Sequence, residues 1–478
     1  MKGSLTTGRL TLAGAVESEL IVTNELNVAF YPMAEAGTTN CVLAIGANRV
    51  LLSVADIRPS AIEDTVMRKV GAGTLLRTKQ VSTNASNPPY AGVWLIEEGL
   101  LDVRGEVGVI RGHLIVGGTD KTAKVFAGEN TLSNTSMDVL ENGEFDVGNM
   151  ASGRCNPIHI YTGATMSIRD GKSFVTAAFN LYGATVDGAG QISSSNTGSK
   201  YIESHPSDVM SILNVPFVGN GWAMKLRAGR GTVPVDLLLN KTMREGDKSQ
   251  SMVVSGGGVI KSVASNADLK YKMILGNTDM KSSVTCYLDG TTGAGGRSCV
   301  YIHYDSTLAG VGTFGNCTCT TNLAISVNGD DKTPTRCTIA PGTIDTETGG
   351  HIYGTMTVGD ASNTRHVLFT NKGRLLFHLG EGRQCDRFVV NGEVRVEGTG
   401  NTVEVVGPED LKRARTGKYT LLEARDGIVD AEGNAVAEPF AFTCANKKVT
   451  FGVEKNTEGK IVKIYANVPP QGLTVTVR

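Results

Sequence analysis

One pattern constrains this chain more than any other. From end to end it runs three to five alternating residues, then Gly with Asn or Asp, then another short alternating run. CDRFVVNGEVRVEG (385–398) shows the form: Phe388 and Val390 point one way and Val389 the other, and after Asn391-Gly392, Val394 and Val396 share a face opposite Glu393, Arg395 and Glu397. Successive side chains of a strand point to opposite faces, so this is a half-buried strand, a tight turn and a second half-buried strand. NGEFDVGN (142–149), GATMSIRDGKSF (163–174), FNLYGATVDGAGQI (179–192), GHIYGTMTV (350–358) and KGRLLFHLGEG (372–382) share it. Helical periodicity is nearly absent. Its best candidates are PSDVMSIL (206–213) and PEDLKRA (408–414), each expected to give a turn or two of helix after a Pro at a helix-starting position.

Many short strands can build a sandwich, a barrel, a propeller or a β-solenoid. Two observations favour the solenoid. The strand density continues over 478 residues without a clear linker, more than one hydrophobic core usually supports. Gly, at 59 residues, sits between very short strands, as expected where a chain turns corners around a narrow coil of about 20–25 residues. In that arrangement 385–398 forms consecutive coil faces with Phe388, Val390, Val394 and Val396 inside, and Leu100 and Val103 join the core. The expected all-β fold is a solenoid with irregular rungs over 1–350, then terminal coils and a β cap over 351–478. The stretch VDAEGNAVAEPFAFTCANKKVTFGV (429–453) reads as terminal hairpins that serve as a cap or as an assembly interface.

Net charge is −1, which gives no electrostatic footprint for nucleic acid or for an anionic membrane surface. No apolar run approaches the roughly 18 residues of a membrane span, and Met1–Leu20 lacks the continuous apolar core of a secretion signal. Nine cysteines are present; Cys286, Cys299, Cys317, Cys319 and Cys337 cluster, while Cys41, Cys155, Cys385 and Cys444 are scattered. The spacing makes no zinc knuckle. Disulfides and buried thiols both fit the cluster.

Two stretches resemble a known repeat. In KVGAGTLLRTKQVSTNASNPPYAGVWLIEEGLLDVRG (69–105), Gly71, Gly73, Leu75, Tyr90, Gly92, Gly99, Leu100 and Val103 stand where the autotransporter-associated β-strand repeat has its Gly-x-Gly-Thr-Leu, Tyr-x-Gly and Glu-Gly-Leu-Leu-x-Val elements. Residues 373–424 resemble the final coils of autotransporter passenger domains, with Asp386, Asn391, Gly392, Gly417, Tyr419, Leu421 and Leu422 at the matching places. The resemblance implies a right-handed parallel β-helix displayed outside the cell. No membrane-barrel translocator is expected after GLTVTVR, so the likeness is to a passenger alone, or to relatives that carry the repeat without a barrel.

The search for chemistry assigns no catalytic, cofactor-binding or metal-ligating residue. GAGTLL (71–76), GAGQIS (188–193) and GAGGRS (293–298) lack the third Gly of a dinucleotide fingerprint, and DGKS (170–173) has Met166 where a phosphate loop needs Gly. Asp330-Asp331 and Asp345/Glu347 could be carboxylate pairs across a groove, but solvated turns account for them more economically. His351, His366 and His378 recur every 12 to 15 residues and could stack on one face as a weak metal site, although spacing alone is not ligand geometry. Trp94 and Trp222 are too few for a sugar platform, and Trp94 reads as core. Asn84, Asn134, Asn240 and Asn316 begin N-x-Ser/Thr sequons, near chance in so Ser/Thr-rich a chain.

The expectation is therefore an extracellular structural or adhesive surface protein, with no cofactor, no membrane span and no nucleic-acid partner. It would self-associate, end to end into fibres, or engage cell-surface glycans. The alternative is a polysaccharide-active lyase or glycosidase, or a glycan-binding module, on the same fold.

Overall fold

The computed structural model describes residues 40–48, 50–53, 66–77, 93–103, 112–128, 132, 135–148, 150–155, 157–176, 178–194, 200–219, 224–245, 251–265, 272–276, 281–292, 299–315, 323–328, 336–407, 414–446 and 448–470, and before residue 40 the backbone of several short strands. These residues contain no helix, hence none long and apolar enough to cross a membrane. The fold is a parallel β-helix. The chain forms two compact units, Met1–Gly221 and Trp222–Arg478.

In the first unit, alternation points every second strand residue inward, and parallel stacking lines these up from coil to coil. Leu75, Leu101, Val125, Phe145, Met166, Val186 and Leu213 pair in that order down one sheet. Met67, Trp94, Leu114, Met137, Ile158, Phe179 and Ile202 do so down another. All fourteen are buried. A third face runs through Met150–Cys155, Ser173–Thr176, Gln191–Ser194 and Phe217–Gly219. The coil closes in as few as 20 residues, Ala123 pairing with Gly143 and Thr165 with Thr185.

Two sequence expectations are corrected here. Residues 206–213 are not helical: Ser211–Leu213 is a strand whose Ile212 and Leu213 pair with Thr185 and Val186. Stacking on the preceding coil buries Leu213 and overrides the local Pro signal. Leu100 is not core either; after Gly99 turns the corner, Leu101 and Val103 point inward and Leu100 is half-exposed. Residues 408–413, the other helix candidate, lie outside the described residues.

The second unit repeats the plan. Met252, Met273, Val300, Ile325, Val367, Val394 and Ile428 stack on one face. Ile260, Cys286, Leu308, Ile339, Leu375 and Val403 stack on the second, and Met356, Phe388 and Leu422 on the third. The strands Arg387–Val390 and Glu393–Val396 never pair with each other; each stacks on the coils before and after it. Phe388, Val390, Val394 and Val396 are inside, as the alternation requires. Some coils keep the 20–25 residues expected, Met252 pairing with Met273 and Leu237 with Ile260, but others are longer. Thr307 pairs with Thr338, Thr338 with Arg374 and Thr402 with Ala441, periods of 31, 36 and 39. The added length leaves the coil as excursions, among them the antiparallel hairpin of Thr343–Ile344 and His351–Ile352. At the C-terminus, Thr450–Lys455 and Ile461–Val468 form an antiparallel hairpin packed on the long strand Gly417–Val429. A hairpin cap is present as expected, but later in the chain than 429–453: within that stretch Ala441–Cys444 is instead a parallel coil strand on Thr402–Val406.

Cys286 takes an aliphatic place in the second inward column and Cys337 is likewise buried; both are free thiols, as suits a small apolar side chain.

Candidate functional site

The hairpin 343–352 interrupts the passage from the strand Thr338–Pro341 to the next face, Thr355–Val358. It lies back over the outer surface of the second sheet, where Lys261, Tyr287, Ala309 and Ala340 form the outward column. Under it Lys261 is buried, its Nζ donating to Ile344 O at 2.5 Å and lying 3.3 Å from Asp289 Oδ2. Thr343 Oγ1 donates to the same Asp289 oxygen at 2.8 Å, and Val311 N donates to Oδ1 at 3.3 Å. A buried cation is tolerable only when paired and hydrogen-bonded in this way.

Beside this anchor lies an open cavity of about 460 Å³, within the range of small-ligand pockets, lined by Arg230, Thr232, Pro234, Thr285 and Tyr287 among others, with Ile344 and Gly349 contributed by the hairpin. Asp236, behind it, accepts from Gly231 N at 2.6 Å and Val259 N at 2.7 Å, with Arg230 Nη1 at 3.7 Å. Burial pushes the Tyr287 phenol up, Asp289 adds to the rise and Arg230 opposes it, so the hydroxyl is a neutral donor at ordinary pH.

At the hairpin's other end three titratable side chains from different segments converge. His351 Nε2 donates to Asp386 Oδ1 at 3.0 Å and His378 Nδ1 donates to Oδ2 at 2.9 Å, and the imidazole centroids are 3.9 Å apart. His351 comes from the hairpin, His378 from the end of Arg374–His378, and Asp386 from the residue before Arg387–Val390. The carboxylate is wholly buried while the imidazoles are 22% and 26% exposed, so the cluster opens to solvent through its histidines. Backbone N–H groups of His378 (2.9 Å) and Gly354 (3.3 Å) complete the set of donors to the carboxylate. Burial works to raise the Asp386 pKa, but the hydrogen bonds from His351 and His378 outweigh it, and the net shift is downward.

The histidine series thus divides. His351 and His378 meet, whereas His366 lies on the first face, accepting from Glu393 N at 3.1 Å. Asp386 joins them unannounced by spacing; the one trace in the sequence is an acid immediately before an alternating strand. Asp345 is occupied within its own turn, accepting from Thr348 N, Thr348 Oγ1 and Glu347 N, which hold its carboxyl below the usual range. Trp94 is core. Asp330, Asp331, Trp222, Asn84, Asn134 and Asn316 lie outside the described residues, and Asn240 is partly exposed. Sequence reasoning missed Arg230, Lys261, Tyr287 and Asp289, because only the hairpin's fold-back brings them into one place.

Together, fold and site describe a parallel β-helix with an open cavity and a histidine–carboxylate cluster beside a coil excursion. No family model matches the chain, and no curated protein matches it.

Proposed function

We propose that this is an extracellular adhesive surface protein, a β-solenoid resembling autotransporter passengers, that holds a saccharide in the cavity beside the hairpin 343–352. The observation that carries this reading is the cavity's lining, which includes Tyr287, Arg230, Thr232 and Thr285 around about 460 Å³. Sugars are bound by such a mixture of an aromatic ring and fixed polar groups. Binding rather than hydrolysis is favoured because the nearest carboxylates are engaged, Asp236 by two backbone N–H groups and Asp289 by Lys261, Thr343 and Val311. Neither is placed as a general acid facing a second carboxylate across the cavity.

The test is a glycan array with the purified protein, followed by calorimetry on any hit with the wild type, Tyr287→Ala and Arg230→Ala. The reading expects saccharide binding at a Kd of roughly 10 μM to 1 mM, weakened at least about tenfold by either substitution. Binding that neither substitution weakens, no binding at all, or release of shortened sugar would overturn it.

A further inference from the structure

We propose that His351, His378 and Asp386 form a binding site for one divalent transition-metal ion of the zinc class. The site is separate from the saccharide reading and does not depend on it.

The geometry is the first argument. One ligand atom from each residue lies within 4.8 Å of the others, the only such group of three among the described residues. The two imidazole nitrogens stand 3.0 Å from Asp386 Oδ1 and 2.9 Å from Oδ2. Around a tetrahedral ion with bonds of about 2.0–2.1 Å, donor atoms sit about 3.3 Å apart, so the ion would draw both nitrogens towards one carboxylate oxygen from a set already within 4.8 Å. The imidazole planes are tilted by 34° rather than parallel, so their in-plane lone pairs can converge.

The second argument is that the carboxylate keeps backbone donors when the imidazole protons are withdrawn. Asp386 is held by His378 N and Gly354 N, and it keeps both bonds when the ring nitrogens present lone pairs instead of N–H groups. Each neutral imidazole achieves this by changing tautomer: the proton leaves the nitrogen facing Asp386 and reappears on His351 Nδ1 or His378 Nε2. Both rings are partly exposed, so the relocated N–H groups can be satisfied by water. A ligating carboxylate that is itself hydrogen-bonded is the usual supporting arrangement in metal sites.

The third argument is space. Gly342 has φ +94°, and a Cβ there would come within 2.5 Å of Asp386 Oδ1 and 2.7 Å of His351 Nε2. The coil keeps this point clear of side chain. Tyr353 packs edge-on against His351 with centroids 4.9 Å apart and backs the ring.

Donor chemistry selects the ion. Two nitrogens and one oxygen suit zinc, cobalt, nickel or copper, whereas calcium takes six to eight oxygens. Three protein donors leave a fourth position on the solvent side.

The experiment uses the full chain after chelator treatment and dialysis, titrated with Co²⁺ as the optical probe, then with Zn²⁺. The variants are His351→Asn, His378→Asn and, as a control, His159→Asn in the other cluster, where Asp138 bridges His113 and His159. The expected result is one Co²⁺ per chain with visible absorption of a four- or five-coordinate nitrogen–oxygen site, displaced by Zn²⁺. Excess Zn²⁺ should raise Tm by at least about 3 °C. His351→Asn and His378→Asn should each weaken binding by about tenfold or more while keeping the metal-free β circular dichroism, and His159→Asn should leave it unchanged. If His378→Asn does not fold, His351→Asn on the excursion carries the decision. No cobalt spectrum and no Tm shift in the wild type would reduce the cluster to a hydrogen-bonded hub. Binding that survives both His351→Asn and His378→Asn, or vanishes in His159→Asn, would place the ion elsewhere. Each of those results overturns the proposal.

Discussion

Arg169 grips Asp146 with both arms of its guanidinium, Nε to Oδ1 at 2.9 Å and Nη2 to Oδ2 at 2.8 Å, while the same group lies over the Phe126 ring at 4.3 Å. The pair stands on the outer face of adjacent coils, and Asp146 is 11% exposed against 55% for Arg169. Burial pushes the Asp146 pKa up, but the Arg169 contacts outweigh it and hold the carboxyl below its ordinary range. A carboxyl whose folded pKa is depressed contributes stability above its unfolded pKa of about 3.9 and loses it as pH falls through the folded value. Asp146→Asn should therefore cost about 1 kcal/mol at pH 7, the solvent around Arg169 limiting the figure. It should also make the unfolding midpoint in urea less sensitive to pH below 4. An acid profile identical to the wild type would show that the pair contributes nothing.

Lys69 makes the opposite prediction. The residue is fully buried, and its amine donates to Gly71 O and Glu98 O. Burial lowers its pKa to about 8, with Glu98 opposing. Below that pH the amine is charged in folded and unfolded chains alike and the folded state carries the whole cost of burying it. As pH rises from about 8 towards the unfolded value of about 10.4, the cost is relieved, on the order of 3 kcal/mol. Stability of the wild type relative to Lys69→Met should rise across that window, measured by urea unfolding at pH 7.5 and 10. A difference that stays flat would mean the amine titrates normally.

These two cases show where sequence reasoning stops. The inward columns were legible because alternation needs no partner to be recognised: Phe388, Val390, Val394 and Val396 are where a period of two puts them. Lys69, Lys261 and Asp386 were not, because each is buried by chain from another coil or excursion, and nothing local marks it. The interval of 27 residues between His351 and His378 equals some coil steps, such as Val367 to Val394, but His351 sits on an inserted hairpin and not on a coil strand, so the spacing alone did not show that the two meet. His366, on the regular coil between them, faces elsewhere.

Gly392 shows a motif read correctly for the wrong reason. Asn-Gly suggests a turn that needs a left-handed backbone, yet Gly392 is absent from the positive-φ glycines. What demands glycine is proximity: a Cβ there would fall 2.0 Å from Arg365 O of the preceding coil. Gly392→Ala should push two coils apart and cost at least about 2 kcal/mol. Ala at Gly171, where a Cβ meets nothing within 4 Å but φ is +66°, should cost about 1 kcal/mol from backbone strain alone. Chemical denaturation of both variants checks the order, and a larger loss at Gly171 would reverse the argument.

The cysteines separate by environment. Burial, with Asp289 beside one and Asp305 beside the other, raises Cys286 and Cys337 to about 12, so neither supplies thiolate at pH 8. Cys385 and Cys444 are half-buried. Iodoacetamide on the native protein at pH 8 should modify Cys385 and Cys444 well before Cys286 and Cys337, and denaturant should erase the difference in peptide mass spectra. Equal native rates would mean that the inward columns open on the labelling timescale.

The cap sets the last prediction. Parallel coils end in a strand whose outer N–H and C=O groups would recruit another strand unless covered. Here Ile461–Val468 runs antiparallel along Gly417–Val429 and is covered in turn by Thr450–Lys455, with Ile461, Ile464, Ala466 and Val468 buried. The reversed direction matters, because a strand paired antiparallel does not continue the parallel helix, so end-to-end growth is not expected at this edge. Removing residues 447–478 should uncover Gly417–Val429 and give oligomers whose mass by light scattering rises with concentration, while the intact chain's mass stays fixed. Ile464→Asp, which charges the buried face of the hairpin, should do the same more weakly if the deletion unfolds the unit. Constant mass in a folded Ile464→Asp variant and in the deletion would show that the hairpin does not guard this end. Fibres from the intact chain would place self-assembly at some other surface.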